Sequence, residues 1–154
     1  MSRARLITFA ASGSAALLAG AFIFQALGYA PCQMCYWQRW PHAAAAGIGA
    51  LYALMPLAVL PWLGALSAAA TGALGVFHAG VEQDWWAGPA SCSGGGGLGG
   101  LSGDDLLSVE AAGRVVMCDE IAWQFAGLSM AGWNAVFSFA LMALWFVAAR
   151  SVQR

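Results

Sequence analysis

The stretch "PCQMCYWQRWPH", residues 31–42, sets a Cys-x-x-Cys pair between two long apolar runs. On a soluble scaffold such a pair sits in a βαβ context; here the flanks decide otherwise. Residues 6–27 carry no charge, and no formal charge occurs from Trp40 to Val81. A helix rising about 1.5 Å per residue needs about 20 residues to cross a bilayer. The first run is therefore one span. Pro56 and Pro61 divide the second, because proline disrupts a helix interior, and spans over 41–60 and 62–81 follow. A fourth is expected over 133–149, with Trp133 and Trp145 near its ends as interfacial anchors. The expected fold class is an all-α membrane protein: a four-transmembrane-helix bundle in one domain, 1–154, with loops over 28–40 and 82–132.

Composition agrees. Of 154 residues, 61% are hydrophobic and 8% charged, against about 25% charged in soluble domains. No basic patch exists to hold nucleic acid. All six basic residues are arginine, and Arg3, Arg5, Arg150 and Arg154 lie at the termini, whereas all seven acids fall within 82–120. The positive-inside rule then places both termini in the cytoplasm and both longer loops outside. Every cysteine (Cys32, Cys35, Cys92, Cys118) falls in those outer loops, the side on which disulfides persist. A competing reading takes residues 1–30 as a cleaved signal peptide, with small residues near 28–30 as the cut site. The apolar run exceeds the roughly 7–15 residues of a typical signal core.

Four cysteines allow three pairings. A tetrahedral zinc site is one use for them, but no further His, Asp or Glu sits at ligand spacing near Cys32. Cys92 and Cys118 are too far apart to form a second knuckle, so no metal is expected. A c-type haem needs Cys-x-x-Cys-His, and Tyr36 holds that position. Purely structural disulfides stay open as a reading. A Cys-x-x-Cys bridge nevertheless closes so small a loop that it constrains the unfolded chain little; its value is chemical, since vicinal thiols exchange readily and one can be held as thiolate.

Arg39 lies four residues beyond Cys35, one turn away if the second helix, expected to start at Pro41, extends back through the motif. A guanidinium there favours a thiolate or hydrogen-bonds a ligand carbonyl; the plainer alternative is that it snorkels to the interface. Trp37, Trp40, Trp85 and Trp86 read as an aromatic belt. His42 and His78 read as interfacial histidines, and His78 and Glu82, one turn apart, face a common pocket without being assigned a site. In the second loop, "SCSGGGGLGG", residues 91–100, matches a dinucleotide fingerprint only through its glycine content and follows no strand. It reads as a flexible linker beside Cys92. Asp104 and Asp105 then open a short helix over 106–112, stopped by Gly113.

With these features in place the chain resembles the DsbB family, the disulfide bond formation proteins of bacterial inner membranes, over nearly its whole length. The resemblance rests on Pro-Cys-x-x-Cys after the first span with Arg39 beyond it, on a separated cysteine pair in a long second loop, and on "CDEIAWQFAGLSMAGW", residues 118–133. "QRWPH" and "HAGVEQDWW" resemble its α-proteobacterial branch; the glycine tract departs from well-known members. The resemblance implies that Cys92 and Cys118 form one redox pair and Cys32 and Cys35 the other. It also implies a periplasmic DsbA-like oxidase as partner and a membrane quinone, ubiquinone in preference to menaquinone, as acceptor at Cys35 and Arg39. DsbA sits at about −120 mV, so its reoxidation needs a still stronger acceptor downstream. Two other functions stay open: a quinone-linked enzyme of the vitamin K epoxide reductase type, and a membrane scaffold with structural disulfides only.

Overall fold

The computed structural model describes residues 1–93 and 116–151. The helix expected over 106–112 and the glycine tract from Gly94 onward lie outside them. Four long helices follow one another: α1 (Arg3–Ala26), α2 (Gln33–Leu54), α3 (Leu60–Glu82) and α4 (Met130–Arg150). A two-stranded hairpin, β1 (Gln124–Phe125) and β2 (Leu128–Ser129), leads into α4. The all-α expectation did not include it. Its register pairs Gln124 with Ser129 and Phe125 with Leu128, leaving Ala126 and Gly127 as a two-residue turn, both at positive φ (50° and 81°). Paired positive φ values suit the right-handed twist of adjoining strands.

Among the described residues, three helices, α1, α3 and α4, are long and apolar enough to cross a bilayer. α2 is not among them; its first half carries Gln33, Gln38, Arg39 and His42. α2 also begins eight residues before the expected start at Pro41, because Cys32 caps it: the Cys32 sulfur accepts the Cys35 N–H. Pro41 therefore lies inside the helix, where it supplies no N–H to the preceding turn.

Short connections make α1, α2 and α3 run alternately up and down. Arg3 on α1 reaches the carbonyl of Ala58 between α2 and α3, so the chain start and that connection share one end. The cysteines gather at the opposite end. α3 is the central element, and its small residues let neighbouring backbones approach, as is usual between membrane helices. A Cβ on Gly75 would lie 3.0 Å from the Ala131 carbonyl oxygen and the Ala135 nitrogen of α4.

Trp145 departs from expectation. It is no interfacial anchor; it is fully buried in a cluster with Ile7, Tyr52, Ala65 and Ala68. The reason is Gly64, whose missing side chain leaves the space the indole occupies: a Cβ there would come within 2.5–2.7 Å of the ring. Trp40 and Trp85, by contrast, remain 76% and 68% exposed. Gly64→Ala should therefore destabilise the bundle by about 1–3 kcal/mol through overpacking. Gly20→Ala, with nothing within 4 Å of its new Cβ, should be neutral or stabilising by up to about 1 kcal/mol. Thermal unfolding in detergent compares the two.

Candidate active site

All four cysteines come together at one end of the bundle. Cys92 and Cys118 form a disulfide, S–S 2.11 Å, while Cys32 and Cys35 are free thiols. Cys32, Cys92 and Cys118 pack in one buried cluster with Met34 and Val81, and Cys35 adjoins it. Loop two is held against the motif by the Cys118 N–H donating to the Cys92 carbonyl and by the Ser91 hydroxyl donating to Gln33.

The free pair sits on the first turn of α2. The two sulfurs are 3.0 Å apart, close enough to share one proton. Cys32 also accepts the Cys35 backbone N–H at 3.3 Å and faces His78 Nε2 of α3 at 3.5 Å. The hydrogen bond from Cys35, opposed by burial and helped by the one from His78, draws the Cys32 thiol down to about 4. The same bond, together with burial and the adjacent Cys32 charge, raises Cys35. The pair is thus polarised, Cys32 as thiolate and Cys35 as the thiol that donates to it. A helix N-terminus adds in the same sense, since its free N–H groups favour an anion.

Cys32 and Cys35 also open onto a cavity of about 420 Å³ between the helices and the 116–125 segment, which Cys92 and Cys118 do not line. Its walls are largely apolar and aromatic, including Phe24, Trp123, Trp133 and Phe137, with Arg39, His78 and Glu82 among its few polar groups. The aromatic wall is continuous: Phe24 meets Trp123 edge-on, Trp123 stacks on Phe125, and Trp133 stacks on Phe137.

Arg39 lies in that wall, but its guanidinium turns toward α1 instead of Cys35. It donates to Gln25 Oε1 at 2.7 Å and to the Ala21 carbonyl at 3.3 Å, over the rings of Phe22 and Tyr36. These contacts run to α1, whereas the sequence spacing places Arg39 beside Cys35. Its buried Nε has no partner among the described residues, leaving a donor free beside the cavity.

Folding also brings in residues that spacing did not reveal. His78, read from sequence as interfacial, is 3% exposed and touches Cys32. The sulfurs of Cys32 and Cys35 and a ring nitrogen of His78 lie within 4.8 Å of one another, so a histidine 46 residues away stands where the sequence offered no further ligand. Glu82 stands 3.8 Å from the same imidazole. His42 lies deeper and is bonded to Asn134 of α4 at 2.7 Å. Polar residues within apolar runs were the only signal for this group.

If Cys35 is what lowers Cys32, Cys35→Ala should return Cys32 toward the ordinary thiol range near 8.5. At pH 6 the reduced wild type should alkylate at Cys32 at least tenfold faster than Cys35→Ala, and the wild-type rate should fall only as pH drops toward 4. Iodoacetamide labelling with peptide mapping measures both.

No curated protein and no solved structure matches the chain. One family does: the family model described as Disulfide bond formation protein DsbB matches residues 3–148, nearly the whole chain. The chain belongs to the DsbB family of multi-pass membrane proteins that act in disulfide bond formation.

Proposed function

We propose that this protein is a thiol:quinone oxidoreductase of the bacterial inner membrane, with all four helices crossing the bilayer and the cysteine end facing the periplasm. The observation that carries the reading is the asymmetry of the two pairs. Cys32 and Cys35 face an apolar, aromatic cavity, while Cys92 and Cys118 pack behind them and away from it. Electrons arriving at the outer disulfide can pass inward by thiol exchange, and only the inner pair adjoins a space suited to a flat, lipid-soluble acceptor.

The sequence of bonds is as follows. A reduced DsbA-like oxidase opens the Cys92–Cys118 disulfide by thiolate attack at Cys92 and leaves as a disulfide, and Cys92 and Cys118 become thiols. Cys118 then attacks an oxidised Cys32–Cys35 bridge at Cys32; the outer disulfide re-forms and the inner pair is reduced. Re-forming the inner bridge releases two electrons and two protons, which convert one quinone to quinol, ubiquinone in preference to menaquinone. The free Arg39 Nε supports a role in holding a quinone carbonyl oxygen. Cys92 is 3% exposed, so attack by a partner requires this region to open first.

Purified protein, a quinone and a reduced DsbA-like oxidase test the reading. Turnover should reduce quinone and should be lost in Cys35→Ser; undiminished turnover in that variant would sink the proposal. Arg39→Ala should raise the apparent KM for quinone about tenfold or more, the loss of one charge-assisted hydrogen bond. Exchange between the oxidase and Cys92–Cys118 should persist in that variant. An unchanged KM counts against the role of Arg39.

A further inference from the structure

A chain of side-chain amides runs across the bundle behind the free cysteines, and backbone carbonyls fix the direction of each link. The Gln38 amide lies 3.2 Å from the Met34 carbonyl oxygen. A carbonyl cannot donate, so the amide atom facing it is the nitrogen. That same nitrogen lies 2.8 Å from His78 Nδ1. Asn134 is fixed likewise, with Nδ2 facing the Thr71 carbonyl at 3.4 Å and the Thr71 hydroxyl at 3.2 Å. It donates to Gln38 Oε1 at 2.7 Å. The Thr71 hydroxyl in turn donates to the Gln38 carbonyl at 3.1 Å. Both N–H bonds of each amide are thereby engaged.

One consequence follows for His78. Its Nδ1 faces an N–H and must present a lone pair, so in the neutral ring the proton is on Nε2. Nε2 is the atom 3.5 Å from the Cys32 sulfur. We propose that Gln38 and Asn134 are positioning residues that lock His78 as an Nε2–H donor to the Cys32 thiolate, and so select Cys32 as the thiolate of the pair. Two other roles for the same histidine conflict with this geometry. A metal held by Cys32, Cys35 and His78 would need the Nε2 lone pair. A general base would have to become an imidazolium, and its Nδ1–H would then collide with the Gln38 N–H. The remaining titratable groups beside Cys32 are Cys35 on α2 and Glu82 on α3. Among the described residues, those of α1 and α4 are Arg3, Arg5 and Arg150, at the opposite end of the bundle.

The inference rests on reading Cys32–Cys35 as the inner redox pair, but its test needs neither quinone nor partner. Imidazole nitrogen shifts of 15N-histidine protein, reduced and in detergent at neutral pH, report the tautomer, with His78→Gln to assign the signals. The wild type should show His78 with a protonated Nε2 and a bare Nδ1. A protonated Nδ1, alone or in an imidazolium, overturns the proposal. In Gln38→Met the single tautomer should give way to a mixture, and the pH midpoint of iodoacetamide labelling at Cys32 should rise by about one unit, a tenfold change in proton affinity. Retention of the wild-type tautomer and labelling midpoint in that variant overturns the positioning role. If Gln38→Met does not fold, Gln38→Glu, whose carboxylate can only accept from His78, should move the proton to Nδ1, and retention of the Nε2–H tautomer there overturns the role equally. The assigned tautomer in a protein that cannot reduce quinone would instead leave this inference standing and remove the proposed function.

Discussion

The sulfur of Cys32 is a helix cap, and the site depends on that contact. By accepting the Cys35 N–H it starts α2 at Gln33, so the Cys-x-x-Cys motif becomes the first turn of a helix that crosses the bundle. Three things follow from this placement. The two sulfurs meet at 3.0 Å. The thiolate form gains the free N–H groups of a helix N-terminus. Gln38, Arg39 and His42 are carried on the same helix, Arg39 toward α1 and Gln38 and His42 into the bundle. A motif left in a loop would provide none of these.

The small residues of α3 are the second requirement. Gly75 lets the first turns of α4 approach closely, and that approach brings Asn134 to Gln38 and Thr71. Gly64 does the corresponding work at the far end by admitting Trp145. The polar network and the apolar cluster are thus held by the same helix pair. The network is costly in an apolar surrounding unless its donors and acceptors are matched, and the amides in it are matched.

The broad architecture was legible in the sequence because long uncharged runs have few alternatives to membrane helices, and a Cys-x-x-Cys motif between them has few alternatives to thiol chemistry. Helix boundaries were less so: Pro41 reads as a start signal, whereas a cysteine cap is not a common one. Trp145 read as an anchor because its position near a helix end is visible and its glycine partner, 81 positions away on α3, is not. His78 was underrated for the same reason, since contact with Cys32 depends on how α2 and α3 pack. Arg39 was expected beside Cys35, but which way a long side chain turns is decided by α1, through Gln25 and the Ala21 carbonyl.

The central claim is that the inner pair alone delivers electrons to a quinone. A chain carrying Cys92→Ser and Cys118→Ser, with Cys32 and Cys35 reduced, isolates that step. Mixed anaerobically with a ubiquinone analogue, it should convert one quinone to quinol per chain and finish with a Cys32–Cys35 disulfide. Quinone left unreduced while the pair stays as thiols would contradict the account.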